Sequence, residues 1–280
     1  MGKPQLNTAD RLLRIGAVSY LNTKPLVYGL AEAVVGAAEL SFAMPSGLSQ
    51  RLSSGELDVA LAPVIELLRN PGWSVVSDAC IACRGPVWSV QTLFRVDPRH
   101  VRTLAVDEGS RTSAALTQIL LYERYGVVPE VRTLPIASSV LDCDADAALV
   151  IGDRAMHLHK LPENFVARWD LGEEWFASTG LPFVFAAWIG REEQNEQSLA
   201  DLLQHRRDEG LKHAAELAAE YAPQHELTAG QVERYFLHHL AFRMGADERR
   251  GMKLFLAKAA ALGLDRGLVI NPHEVEPAGR

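Results

Sequence analysis

Cysteine is scarce: three (Cys80, Cys83 and Cys143) in 280 residues. Three thiols cannot all pair and give no disulfide framework, so a reducing cytoplasm is the expected home. Cys80-Ile81-Ala82-Cys83 has redox or zinc spacing. It lies in a strand-like run with no second pair to close a metal site, so a structural role is expected and no metal. No apolar run reaches membrane-spanning length. The segment Met1 to Arg14 is polar and lacks the apolar stretch of a signal peptide. Basic residues are outnumbered: 28 Lys and Arg against 35 Asp and Glu leave a net charge of −7. Without a basic stripe to track phosphates, nucleic acid is excluded as a partner. There is no glycine-rich phosphate loop, nucleophile elbow, internal repeat or low-complexity tract. His205, His213 and the His238-His239 pair fall on helical segments with no carboxylate at metal spacing, and are read as solvated or packed.

What remains is ordinary globular material, 48% hydrophobic and 22% charged, enough for one large domain or two of usual size. The chain is organised around Ser19-Tyr20-Leu21-Asn22-Thr23-Lys24-Pro25. Before it, Ile15-Gly16-Ala17-Val18 reads as a short buried strand; behind it, Pro25 to Leu30 reads as an amphipathic helix. Asn22 or Thr23 can cap that helix, and Pro25 suits its first turn. Open α/β sheets place ligands where a strand ends in a polar turn, and a helix start offers N–H groups to an anion.

The pattern continues with a strand at 38–43, a short helix capped by Ser46 and stopped by Gly55, a strand at 57–62 and a helix at 64–69. Strands at 74–83 and 88–96 follow, the second after the Gly85-Pro86 turn. A second α/β unit then begins: strand 103–107, the small polar turn Glu108 to Ser113, a helix closed by Gly126, strand 130–134, strand 146–151 ending in Gly152-Asp153, and a helix at 155–159. An apolar strand, Phe183 to Ile189, suits a return to the first unit. Everything after Arg191 reads as helical, with a capping box at Thr228-Ala229-Gly230-Gln231 and a frayed tail from Pro272. The expected fold is α/β, with two lobes around a ligand cleft and a helical C-terminus. Lobe 1 spans 14–96 and 186–272; lobe 2 is the inserted stretch 97–185.

Val18 to Thr23, Gly55 to Pro63, Gly85-Pro86-Val87-Trp88-Ser89-Val90, Gly109 to Ser113 and Ile151-Gly152-Asp153, in that order, resemble the chorismate dehydratase family. That family supplies the first enzyme of the futalosine route to menaquinone. The match runs from about Arg14 to Trp188 (the C-terminal helices add little), and five motifs in series are specific where one is weak. The resemblance implies a periplasmic-binding-protein-like fold of the second structural type, working in the cytoplasm. It implies loss of water from chorismate, a hydro-lyase reaction giving 3-[(1-carboxyvinyl)oxy]benzoate. The ring aromatises, so no redox cofactor is called for, and the enolpyruvyl carboxylate of the substrate can serve as base. The alternatives are a non-catalytic small-anion binding protein and the related later enzyme acting on cyclic dehypoxanthine futalosine.

On that reading Asn22 and Ser89 are the catalytic candidates. Asn22 can donate to the leaving hydroxyl or to a carboxylate, or merely cap its helix. Ser89 bonds the departing hydroxyl, holds the enolpyruvyl carboxylate, or is a satisfied core hydroxyl. Ser110, Arg111, Thr112 and Ser113 would bind a carboxylate at the second lobe's helix start, using the same atoms as an ordinary N-cap. Gly152 allows close backbone approach. Asp153 orients a neighbour or caps a helix, since a carboxylate beside a dianion would be repelled as base. Ser19 and Tyr20 complete the substrate-binding set. A net-negative chain opposes a dianion at long range, so helix termini must dominate locally, with Lys24 and Arg84 at the rim. The partner is a small dicarboxylate; monomer and homodimer both stay open.

Overall fold

The computed structural model describes residues 12–135, 138–191, 197–267 and 269–270. The polar segment through residue 11, expected to carry no leader, and the tail from Pro272 lie outside the described residues. The chain divides into two compact units, Met1–Ala82 with Val184–Glu248, and Cys83–Phe183 with Arg249–Arg280.

The first unit opens with β1 (Leu13–Val18), a 3-10 turn (Leu21–Leu26) and the single turn α1 (Leu30–Ala33). β2 (Ala38–Ala43), α2 (Pro45–Ser53), β3 (Val59–Pro63), α3 (Glu66–Arg69) and β4 (Trp73–Cys83) follow. The second unit holds β5 (Val90–Phe94), β6 (Thr103–Asp107), α4 (Thr112–Tyr125) and β7 (Glu130–Leu134). It continues with β8 (Ala147–Ile151), α5 (Asp153–Met156), β9 (Ala167–Asp170) and α6 (Leu171–Thr179). β10 (Phe183–Arg191) returns the chain to the first unit for α7 (Gln197–Lys212), α8 (Ala214–Tyr221), α9 (Ala229–Arg234) and β11 (Ala241–Arg243). α10 (Ala246–Ala261) closes the described elements.

Each unit carries one sheet. The first has the order β11-β4-β10-β3-β1-β2 and the second β7-β6-β8-β5-β9. β1 runs parallel to β2 and β3, while β10 lies antiparallel to β3. β3 is buried throughout, as a strand covered on both faces must be. In the second sheet β6 is parallel to β7 and β8, and β5 is antiparallel to β8 and β9. The α/β class is as expected.

Several boundaries differ from the sequence reading. The first helix gives way to the 3-10 turn, which starts at Leu21 and holds Pro25 in its interior, with Tyr20 at its N-cap and no side-chain cap. Neither Asn22 nor Thr23 caps it. α2 starts with Pro45 in its first turn and Met44 at the cap, so Ser46 is inside the helix and not its cap. β5 starts at Val90 because Trp88 has φ +65, outside the extended region. That strand pairs in the second sheet, although the span 14–96 put it in lobe 1. The region after Arg191 is not wholly helical: β11 pairs antiparallel with β4, Ala241 opposite Ala82. From Arg249, α10 belongs to the second unit, where Phe255 meets Phe183 and Trp175 edge to face at 5.0 and 6.3 Å. β9 and α6 were not foreseen. The capping box at Thr228 and Gln231 is present as read.

Candidate functional site

In the second unit, strand direction gathers most of the expected residues. β6 and β8 end on the same sheet edge, where antiparallel β5 begins. The Gly152 N–H donates to the Ser89 carbonyl at 2.8 Å, which carries the β5–β8 ladder one residue beyond Val90 and Ile151. Ser89, the turn from Gly109 to Ser113, Gly152 and Asp153 therefore share this edge. Gly152 sits at φ +61, ψ −140, a conformation that glycine alone tolerates well. Asp153 is the first residue of α5 rather than its cap.

One carboxylate shapes the approach to Ser89. Asp170, at the end of β9, accepts the N–H of Val87 at 2.9 Å and of Trp88 at 2.7 Å. It also caps α6, accepting from Gly172 at 3.0 Å and Glu173 at 3.2 Å. Gln91 Nε2 donates to the Trp88 carbonyl at 2.8 Å. Trp88, in a left-handed conformation costing about 1–3 kcal/mol, is thus pinned at both its N–H and its carbonyl. Nearby Cys83 is buried, and burial, reinforced by the Asp170 charge, pushes its thiol well above the ordinary range. With Cys80 also buried and three residues away on an extended strand, the two thiols point to opposite faces. The structural reading of this pair holds.

The turn from β6 into α4 is equally committed. Asp107 is buried, and Arg154 of α5 donates to its Oδ2 at 3.0 Å. Burial pushes the Asp107 carboxyl up, with Arg154 opposing it. Arg154 also reaches the Ser138 carbonyl at 2.6 Å, and the Ser110 N–H donates to the Asp107 carbonyl at 2.8 Å. Thr112 and Ser113 are the first two residues of α4, both buried, with Arg111 at the N-cap and no side-chain cap bond. They lie inside the helix, so the ordinary N-cap alternative does not describe them. A buried helix start concentrates partial positive charge and amide donors. Beside it the Ser110 hydroxyl, 7% exposed, has no hydrogen-bond partner among the described residues. This is the geometry that takes an anion.

Ser19, Tyr20 and Asn22 belong to the first unit, following β1. Ser19 is exposed, Tyr20 and Asn22 half-buried. The Tyr20 hydroxyl lies 4.0 Å from Met44 Sδ, and Thr23 Oγ1 donates to Asn22 Oδ1 at a long 3.4 Å. The Thr23 N–H donates to the Tyr20 carbonyl at 3.1 Å and the Val27 N–H to the Thr23 carbonyl at 3.2 Å, and close packing adds to these backbone bonds. Gly210 of α7 lies so close to Pro25 that a Cβ there would collide with the Pro25 carbonyl. Lys24 Nζ stands 4.2 Å over the Tyr221 ring, and burial lowers its pKa, with Glu220 opposing. Arg84 is exposed. His213 stacks on Tyr28 at 4.6 Å, a packed histidine as read. No cluster of three or more His, Cys, Asp or Glu fit for a metal occurs among the described residues.

Sequence reasoning missed Asp170, Gln91, Arg154 and Gly210. Asp170 had a signal, an acidic cap three residues before Glu173. A strand glutamine and a helical glycine carry none.

A family described as menaquinone biosynthesis matches residues 13–261. The chain belongs to that family. Within the menaquinone-biosynthesis family's span fall β1 through α10, and with them every expected site residue. The chain is 30% identical to the chorismate dehydratase of Thermus thermophilus over 269 residues, 89% of this chain and 95% of that one. It is 25% identical to the chorismate dehydratase of Campylobacter jejuni over 256 residues, 89% and 98% of the two chains. In structure it is similar to the periplasmic aliphatic sulphonate binding protein of Escherichia coli, with TM-score 0.60, 14% identity and coverage of 95% and 92%. The fold of this family member is periplasmic-binding-protein-like. No helix among the described residues is long and apolar enough to cross a membrane.

Proposed function

We propose that the protein is a cytoplasmic chorismate dehydratase, a hydro-lyase that removes water from chorismate to give 3-[(1-carboxyvinyl)oxy]benzoate. One observation carries this beyond family membership: the buried start of α4, uncapped by Arg111, beside the unpartnered Ser110 hydroxyl. Neutral donors arranged so suit a carboxylate of a dianion. They also answer the charge problem, because a chain of net charge −7 must hold its ligand by local dipoles.

The C3 hydrogen and the C4 hydroxyl leave, and aromatisation makes the step strongly downhill. What the protein supplies is orientation and electrostatics. Of the carboxylates at this edge, half-buried Asp170 is committed to backbone amides and buried Asp107 to Arg154, and Asp153 beside a dianion would be repelled as base. That favours the enolpyruvyl carboxylate of the substrate as the base. Asn22 donates to the departing hydroxyl. Ser89, fixed by its pinned neighbour Trp88, holds the enolpyruvyl carboxylate. Ser110, Arg111, Thr112 and Ser113 take a carboxylate at α4, with Gly152 and Asp153 shaping the adjoining backbone and Ser19 and Tyr20 completing the set.

The test is incubation of the purified protein with chorismate, without added metal or nucleotide, following the aromatic product by absorbance and mass. Turnover supports the reading. Binding without turnover points instead to an anion-binding protein. Inertness toward chorismate with consumption of cyclic dehypoxanthine futalosine points to the later enzyme.

A further inference from the structure

We infer that Gln91 recognises the ring hydroxyl of the substrate, an inference that rests on the chorismate reading above. Gln91 is 4% exposed, and its Nε2 donates to the Trp88 carbonyl at 2.8 Å. That bond fixes which end of the amide is which, since the reverse would set two oxygens face to face. Its Oε1 is left buried, with no donor from any described residue. Buried acceptors without a donor are rare in folded proteins and call for an explanation.

The explanation follows from place and from the donors a ligand can bring. Gln91 is two residues from Ser89, so the two share a face of the ladder that the Gly152–Ser89 bond extends. Its backbone lies opposite Asp170 in β9 and Val150 in β8, at the edge where Ser110 also sits. Chorismate as a dianion offers two carboxylates and an enol ether, all acceptors, and one donor, the C4 hydroxyl. The Ser110 hydroxyl and the α4 amides suit the acceptors. Gln91 Oε1 asks for a donor, and the C4 hydroxyl is the one available. The same residue thereby ties hydroxyl recognition to the turn that delivers Ser89.

The test uses two ring-saturated analogues of chorismate, unable to aromatise, one with the C4 hydroxyl and one with hydrogen in its place. The intact protein should bind the hydroxyl analogue about tenfold or more tightly, as a buried acceptor left unpaired penalises the deoxy ligand. Gln91→Met should bind both within about twofold of each other. Any loosening of the Trp88 turn weakens both ligands and cancels in the ratio. Gln91→Glu, which keeps an acceptor but loses the amide donor, should retain the preference while binding both more weakly. A Gln91→Met protein that keeps the full preference would overturn the inference, as would an intact protein that turns over chorismate yet shows no preference. An intact protein that neither binds nor dehydrates chorismate would overturn the functional reading, and this inference with it.

Discussion

The two units position their polar turns by different means. In the second, hydrogen bonds do it: Asp170 and Gln91 hold the turn to Ser89, and Asp107 with Arg154 holds the turn into α4. In the first, close packing joins the turn's own backbone bonds: α7 presses Gly210 onto Pro25, and the Asn22 side chain takes one long hydrogen bond. A turn fixed by hydrogen bonds is stiff in direction, which suits groups that must meet a carboxylate in one orientation. A turn fixed by backbone contact leaves its side chains uncommitted, which suits a group whose partner is the ligand. The difference can be broken from either side.

The largest effect is expected at the packed turn. Gly210→Ala places a methyl against the Pro25 carbonyl, so helix or turn must move, at a cost of about 3 kcal/mol. Urea denaturation measures it, and turnover should fall with it because the Asn22 turn shifts. A change below about 0.5 kcal/mol would show that packing does not hold this turn. Asp170→Ala comes next. It strips an acceptor from the amides of Val87, Trp88, Gly172 and Glu173, and should cost about 2–3 kcal/mol. Asp170→Asn keeps one acceptor oxygen and should fall between.

Arg154→Met is smaller, about 1–2 kcal/mol at neutral pH, for a pair with one partner partly exposed. Its signature is the pH dependence. Burial already raises the Asp107 carboxyl, and losing Arg154 removes the charge that opposes this. A carboxyl whose folded pKa lies above its unfolded value binds more protons in the native state, so stability falls as pH rises through that window. The variant should therefore recover toward the parent as pH drops into the ordinary aspartate range. A deficit independent of pH would place the role of Arg154 in its bonds to the Ser138 and Pro135 carbonyls instead.

How much of this the sequence carried depended on whether the deciding physics was local. β2, β6 and β7 begin and end where the sequence reading puts them, β1 starts two residues earlier at Leu13, and the capping box at Thr228 is a pattern within four residues. The turn carrying Asn22 departs from the reading because cap and proline rules place Pro25 at a helix start, whereas it lies inside a 3-10 turn that begins at Leu21. β11 pairs with a strand more than 150 residues earlier, and no local pattern announces that. Within the site, Ser89, Ser110 and Gly152 stood in recognisable motifs. Arg154 acts through Asp107, 47 residues earlier and brought near by the sheet, while Gln91 bonds Trp88 three residues away through a left-handed turn that no residue pattern announces.

The smallest expected change in stability is the sharpest test of the contrast. Asn22 is half-buried, caps no helix, and its side chain has one hydrogen bond at 3.4 Å. Deleting its amide should cost less than about 1 kcal/mol, since the one bond lost, from the buried Thr23 hydroxyl, is long and no cavity opens in a core. If the amide instead meets the departing hydroxyl, Asn22→Ala should abolish turnover of chorismate at unchanged melting temperature. Affinity for a ring-saturated analogue should fall far less than kcat, because the contact strengthens as the C–O bond breaks. Equal losses in binding and turnover would make Asn22 a ground-state ligand contact. Full activity would return the catalytic burden to the second unit, where Ser89 would then have to carry the departing hydroxyl.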